Sequence, residues 1–231
     1  WAALLPERLL LSRTRNLFAW RPCSTVFEAT LCEFSGMLDD RIKSRILNDH
    51  TRLTAEGKLF PKAQLEGLHR NFRSRFGPDV LAKLDGEELL ETMHAHGNKD
   101  SLVYWLEFKN DDEFPGHFGS ILGGTSFKFG VFRFKETGGW VTGSPQKVVE
   151  LSVPQAVDIA RKHRDELIRG CERIVSVPDL ADDGEYRRLQ EDLEKIAPSV
   201  SDTAWGHKYF SLVHPERIDD YHNPDFQRFY L

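Results

Sequence analysis

The sequence has few cysteines, no long apolar run and no segment with the pattern of a secretory signal. Three cysteines in 231 residues (Cys23, Cys32 and Cys171) form no dense disulfide framework, which predicts a reducing, cytoplasmic location. No apolar stretch approaches the roughly 20 residues of a membrane span, so no membrane partner is expected. The apolar residues near the start are interrupted by Pro6 and Glu7, unlike the continuous apolar core of a signal peptide.

An excess of positive charge is confined to one part of a chain whose formal net charge is −5. Residues 1–80 carry 13 Lys and Arg against 9 Asp and Glu, whereas the remaining residues carry 18 against 27. The excess is densest between residues 41 and 75, and a surplus of this kind can bind DNA phosphates in a salt-dependent manner. The candidate phosphate contacts are Arg41, Lys43, Arg45, Arg70, Arg73 and Arg75. A solvated helical face is the alternative interpretation of the same residues.

The spacing of apolar residues divides the chain into three segments. Residues 1–98 read as a mainly helical segment that contains the basic stretch 41–75. Residues 99–177 are expected to form an antiparallel sheet followed by a long helix. Residues 178–231 are expected to form a helical linker region.

Helix boundaries are marked by proline, glycine and capping residues. An apolar stripe that ends at Phe76 predicts a helix over 62–76, which Gly77-Pro78 terminates. Pro78-Asp79 has the pattern of a new helix start. Ser152 followed by Gln155 predicts the capped N-terminus of the long helix.

The apolar period changes to two between residues 101 and 143. Ser101–Lys109 and Phe127–Phe134 both alternate, and Gly139-Trp140-Val141-Thr142 reads as a short third strand. The sequence therefore predicts the α+β class, with a small antiparallel β-meander (about 101–143) packed against flanking helices. A helical Ser101–Lys109 would contradict this expectation.

Two motifs are too incomplete to predict a ligand. The glycines at 119 and 123–124 are spaced like those of a phosphate loop, but Gly124 stands where the lysine is required, so no NTP hydrolysis is expected. His94 and His96 form an H-x-H pair near a helix end, without the spacing of a zinc site. Neither motif gives a reason to assign a metal or a cofactor to this chain.

One pattern favours an enzyme. Pro78-Asp79 is followed 28 residues later by Glu107-Phe108-Lys109, which satisfies the loose PD-(D/E)xK spacing of metal-dependent nucleases. In that chemistry two acids hold Mg²⁺ and the lysine positions the attacking water. Asp79, Glu107 and Lys109 are therefore the alternative catalytic set, with Glu107 and Lys109 on one face of a strand.

Aromatic residues concentrate on the predicted meander, interleaved with cations. Exposed aromatic rings can stack on a DNA base or enclose a base that has left the duplex. The candidate base-binding residues are Trp105, Trp140, Tyr104, Lys109 and Arg133, with Trp140 expected to be exposed in a glycine-rich turn. The alternative is that these aromatics are core, since aromatic residues favour strands in general.

Seven short segments between residues 84 and 224 match the sequence of one bacterial family. They are Leu84-Asp85-Gly86, residues 99–109, Phe118-Gly119-Ser120-Ile121, Lys128-Phe129-Gly130, Lys135-Glu136-Thr137-Gly138, residues 205–210 and residues 219–224. These segments resemble the region preceding the ATPase module in McrB-like AAA+ proteins, the motor subunits of modification-dependent (type IV) restriction systems. Residues 1–60 carry no such resemblance.

The resemblance implies a role in defence against foreign DNA. In that family the N-terminal region recognises modified DNA, the AAA+ module hydrolyses GTP, and a McrC-type subunit cleaves. We therefore expect a non-catalytic DNA-binding, modified-base-sensing module without a cofactor. The expected partners are DNA, an AAA+ module beyond Leu231 and a McrC-like nuclease subunit. A helical pattern still running over 225–231 fits this expectation. A protein-interaction scaffold for motor assembly is a third possibility.

Overall fold

The structure, a computed structural model, describes residues 39–114, 121, 125–179 and 181–219. Most of the helical segments of this part lie in the order that the sequence predicts. The helices are α1 (Asp40–Ala55), α2 (Lys62–Phe76), α3 (Pro78–Leu81), α4 (Gly86–His94), α5 (Leu102–Tyr104), α6 (Asn110–Glu113), α7 (Val153–Val175), α8 (Asp183–Ile196) and α9 (Ala204–Val213). A π-helix, Trp105–Lys109, joins α5 to α6, and a 3₁₀ turn covers Ser126–Phe129.

Helix α2 has the bounds that its apolar stripe predicts. Leu65, Phe72 and Phe76 are buried along one face. The helix stops at Gly77, where an added Cβ would lie 2.5 Å from the Arg73 carbonyl oxygen. Pro78 then begins α3, because a proline in the first turn has no amide hydrogen to leave unbonded.

Helix α7 forms the long support of the fold. It begins with the predicted capping box, in which the Ser152 amide donates to Gln155 Oε1 at 2.9 Å. It packs against α4, α8 and α9. At Gly170 the approach to α9 is close, since a Cβ there would come within 2.5 Å of the Phe210 ring.

The sheet is antiparallel and has the strand order β1-β2-β3. The strands are β1 (Phe132–Arg133), β2 (Trp140–Ser144) and β3 (Lys147–Leu151). Trp140 pairs with Leu151 and Ser144 with Lys147, so a tight two-residue turn joins β2 to β3. A small antiparallel sheet flanked by helices confirms the predicted α+β class, but its strands lie between residues 132 and 151, so the predicted position of the meander at about 101–143 is wrong.

The predicted strand over Ser101–Lys109 is wrong, because these residues belong to the continuous helical run 102–113, here called the 102–113 helix. Leu102, Val103 and Leu106 are completely buried and Trp105 is 3 % exposed. A helix buried on most sides loses its 3.6-residue apolar period, and aromatic and branched residues then give the pattern of a strand. The predicted strand over 127–134 is also mostly replaced, by the 3₁₀ turn and the two residues of β1.

Buried residues from all three predicted segments pack into one hydrophobic core. Phe72 from the first segment, Trp105 and Leu167 from the second and Tyr209 from the third belong to it. Within the described ranges, no helix is both long and apolar enough to cross a bilayer. The core thus fixes the 102–113 helix between α2, α4 and α9.

Candidate nucleic-acid interface

The six predicted phosphate contacts lie on two consecutive helices. Arg41, Lys43 and Arg45 belong to α1, and Arg70, Arg73 and Arg75 belong to α2. Arg41, Arg45 and Arg70 are exposed. Arg73 is committed to the fold, because its guanidinium donates to the Val213 carbonyl oxygen at 3.1 Å.

Carboxylates neutralise much of the predicted basic stretch. Arg52 Nη2 lies 3.0 Å from Asp49 Oδ1, and Arg52 Nη1 lies 3.1 Å from Glu56 Oε1. Lys43, Lys58 and Lys62 also have carboxylates within 3.5 Å. Exposed pairs of this kind contribute little stability, but they reduce the field that would attract a polyanion.

The two tryptophans expected to bind bases are core residues. Trp105 is 3 % exposed and Trp140 is 5 % exposed, so the expectation that Trp140 is exposed is wrong. The ring of Trp105 packs edge-on against Phe76 at 5.4 Å between centroids. Arg133 pairs with Trp140 across β1 and β2, and its guanidinium carbon lies over the ring at 4.9 Å from the centroid while its nitrogen pairs with Glu91.

Three predicted site residues lie close together at the 102–113 helix, two on the helix itself and one beside it. Arg75 and Lys109 both lie over the Trp105 ring, at 5.0 and 5.7 Å from its centroid. Tyr104 precedes Trp105 and contacts Phe108, with 5.1 Å between ring centroids. We call Arg75, Tyr104, Phe108 and Lys109 the aromatic–cation patch.

The members of the patch are accessible. Phe108 is 37 % exposed, and the side chains of Arg75 and Lys109 are 47 % and 44 % exposed. Each cation has a carboxylate nearby, since Arg75 Nη1 lies 3.1 Å from Asp100 Oδ1 and Lys109 Nζ lies 3.4 Å from Glu113 Oε1. The patch therefore combines one exposed and one partly exposed aromatic ring with two solvent-accessible cations.

The π-helix sets the directions of the patch side chains. The Asn110 amide donates to the Trp105 carbonyl oxygen, one residue further back than in an α-helix. This wider turn leaves Phe108 outward while Trp105, Leu106 and Glu107 are buried. π-helical turns are rare in proteins, but a large share of those that do occur lie at functional sites.

The nuclease alternative requires a Glu107 carboxylate that is open to a metal ion, and the structure does not provide one. Its carboxylate is bound on both sides, by Lys128 Nζ at 2.6 Å from Oε1 and by His96 Nε2 at 2.5 Å from Oε2. Lys128 also donates to the Ile121 carbonyl oxygen at 2.6 Å. Glu107 and Lys109 lie on a helix instead of sharing a strand face. The remaining predicted acid, Asp79, is exposed on α3.

A second buried ion pair ties the same helix to α9. The Lys208 side chain is fully buried, and its Nζ lies 2.5 Å from Asp111 Oδ1. Burial lowers the pKa of Lys208, and the hydrogen bond to Asp111 opposes that shift. Asn110 beside it is also fully buried, and no described residue hydrogen-bonds its side-chain amide.

A buried histidine pair lies behind this cluster. His163 Nδ1 lies 3.3 Å from His94 Nε2, and both rings contact Trp205. Burial lowers the pKa of His94 well below its usual value and that of His163 to about 4. The predicted H-x-H pair therefore divides, with His94 in the core and His96 on Glu107.

Sequence reasoning missed Lys128, Asp111, Lys208 and His163 as partners in a buried network, and it missed Phe108 as a surface aromatic. Lys128 and Lys208 do lie in segments that carry the family resemblance, which was the one available signal. The pairing itself needs the fold, because Glu107 and Lys128 are 21 residues apart and Asp111 and Lys208 are 97 apart.

Comparison of the chain with family models, curated proteins and solved structures finds no match. Among the described residues, no group of three or more His, Cys, Asp and Glu side chains is arranged to hold a metal ion. The glycine-rich loop at 119–124 is outside the described residues except for Ile121, as are residues 1–38 and 220–231.

Proposed function

We propose that this chain is a non-catalytic DNA-binding module that reads DNA for a McrB-like restriction protein. The aromatic–cation patch is the observation that carries the proposal. It presents Tyr104 and Phe108 for stacking and Arg75 and Lys109 for phosphate contact on one surface formed by α2 and the 102–113 helix. The resemblance of the surrounding segments supports the choice of DNA and of an AAA+ motor and McrC-like nuclease as partners.

The patch favours DNA as the ligand because its aromatic rings match the bases and its cations match the phosphates. Aromatic rings stack on bases regardless of sequence, and arginine and lysine bind the phosphates between them. The modification that is read requires a further contact, and the buried Trp105 and Trp140 supply no open ring for it.

Charge variants at Arg75 test the proposal with opposite expected signs. Arg75→Gln should weaken binding and reduce the slope of log affinity against log salt by about one unit, because one phosphate contact is lost. Asp100→Asn should strengthen binding, because it frees Arg75 from a competing carboxylate. Fluorescence anisotropy with a labelled oligonucleotide at two salt concentrations measures both effects.

Arg161→Gln is the matched control for Arg75→Gln. Arg161 is also an exposed, ion-paired arginine, with its Nε 2.6 Å from Asp85 Oδ1, but it lies on α7 outside the patch. Its replacement should leave DNA affinity unchanged. Equal losses for the two arginine variants, or no effect of Asp100→Asn and Arg75→Gln, would exclude the patch as the DNA contact.

The edge of the sheet favours the scaffold as a second candidate function. β3 is an outer strand of the described sheet, with Val148 40 % and Val149 41 % exposed. Open edges of this kind can pair with a strand of another chain. If the scaffold is the function, Val149→Lys should abolish binding of the AAA+ module while Phe108→Ala leaves it intact.

A further inference from the structure

The aromatic rings of this protein differ sharply in whether a base could reach them. Trp105 is covered by Arg75 and Lys109, and Trp140 is covered by Arg133. Tyr104 and Phe108, by contrast, form a tilted pair with 40° between ring planes on the outer side of the helix. Phe108 is therefore exposed and Tyr104 partly exposed, whereas the two tryptophans offer no open ring that could line a base pocket.

An aromatic pair at the protein surface suits unpaired bases. Bases inside a duplex are covered on both faces by their neighbours, and a base flipped out of a duplex is normally held in a closed pocket. Unpaired bases offer free faces that stack on any accessible ring. Phe108, and in part Tyr104, provide such a ring surface.

The charges around the patch also favour single-stranded DNA over duplex DNA. A duplex attracts proteins mainly through its dense phosphates, which requires several unneutralised cations. Here Arg75 is paired with Asp100 and Lys109 with Glu113, and the whole chain carries a net charge of −5. Stacking is therefore the larger attractive contribution at this surface, with the two cations holding the phosphates beside the stacked bases.

We propose that the aromatic–cation patch binds single-stranded DNA by stacking unpaired bases on Tyr104 and Phe108, in preference to duplex DNA. This inference rests on the proposed DNA-binding function and specifies its ligand. It assigns Phe108, which no motif of the sequence indicated, as the main base contact.

The test compares three ligands of the same length and sequence in one anisotropy titration. They are a mixed-sequence single strand, that strand annealed to its complement, and a single strand with abasic sites that retains the phosphates. The single strand should bind at least tenfold more tightly than the other two. Phe108→Ala should weaken its binding by roughly 5- to 150-fold, the range expected for losing one stacked base.

Two further variants separate stacking from a change in folding. Phe108→Tyr should retain most of the affinity, because the phenol ring stacks like the phenyl ring. Val175→Ala, at a 57 % exposed apolar position at the end of α7, is the matched control and should bind like the parent. Thermal melting should show that all three variants remain folded.

Each remaining outcome is decisive. Duplex binding as tight as single-strand binding, or an abasic strand that binds equally well, would overturn the preference for unpaired bases while leaving DNA binding intact. Equal affinity of Phe108→Ala and the parent would overturn the assignment of the patch. Failure to bind any of the three ligands would overturn the proposed function itself.

Discussion

At the scale of single residues, tryptophan and phenylalanine have different tasks on the 102–113 helix. Trp105 is 3 % exposed and contacts Phe72 and Phe76, whereas Phe108 is 37 % exposed and contacts Tyr104. The sequence does not separate them, because both are aromatic residues in one apolar run. Only the fold decides which ring is inside.

We expect Trp105→Ala to lower the free energy of unfolding by about 3–5 kcal/mol, since it leaves a large cavity in the core. Phe108→Ala should lower it by clearly less, because this side chain is already 37 % exposed in the folded protein. Urea unfolding followed by circular dichroism measures both values. A Trp105→Ala protein as stable as the parent would contradict the placement of this ring in the core.

The buried pair of His94 and His163 predicts a loss of stability in acid. The usual histidine pKa of 6.5 applies to the unfolded chain, whereas burial lowers the pKa of His163 to about 4 in the folded protein. Between these values the unfolded state binds more protons, so stability falls as the pH drops from about 6.5 to 4. The loss from His163 alone should reach roughly 3 kcal/mol at pH 4.

Urea midpoints at pH 7, 5.5 and 4.5 measure this dependence, and His163→Gln is the control that should reduce it, with the contribution of His94 remaining. Asp85 does not imitate the effect, because Arg161 lowers its pKa to about 2 and its contribution is lost only below the usual carboxyl pKa of 3.8. A midpoint that is constant from pH 7 to 4.5 would contradict a neutral, buried His163.

At the scale of secondary-structure elements, amphipathic helices are predictable from sequence and the central helix is not. Lys62–Phe76 and the capping box at Ser152 agree with prediction because one face of each helix is solvated, so the helical period survives. The 102–113 helix is surrounded by other elements and shows an almost continuous apolar run. The candidate site is equally hard to predict from sequence, because it includes this helix. Arg75 was predictable as a surface cation, but its position over Trp105 was not.

The pair of Lys208 and Asp111 should couple α9 to the 102–113 helix. Asp111→Ala should destabilise the protein by roughly 3–5 kcal/mol, because it leaves a buried lysine without its carboxylate. Adding Lys208→Met should recover much of the loss, because the buried charge is then removed as well. A double-mutant cycle by urea unfolding measures the coupling, and simple additivity of the two changes would contradict a buried ion pair.

At the scale of the whole molecule, the fold class follows from the sequence while the location of the chemistry does not. Turn residues and the short apolar segment at Trp140 predict a small antiparallel sheet among helices, and the structure confirms that class, whereas the change of period at Ser101 belongs to a helix. The pattern of Asp79, Glu107 and Lys109 is meaningful only if Glu107 lies on a strand. Because this position is helical instead, the Glu107 carboxylate contacts Lys128 and His96.

We therefore expect this chain to leave DNA intact in the presence of Mg²⁺ or Mn²⁺. The reason is that each Glu107 carboxylate oxygen already has a hydrogen-bonding partner, Lys128 or His96, so neither oxygen is open to a metal. Gel electrophoresis of a labelled duplex and a labelled single strand after long incubation is the measurement. Cleavage that disappears in Glu107→Gln would restore the nuclease alternative.

The central claim is that DNA covers the aromatic–cation patch, and a hydrogen–deuterium exchange footprint tests it most directly. The intact chain is compared with and without saturating oligonucleotide, peptide by peptide. The account predicts slower exchange in peptides that span residues 99–113 and the end of α2 around Arg75, with no change over Lys147–Leu151. Protection confined to β3, or the same exchange throughout the chain with and without DNA, would contradict it.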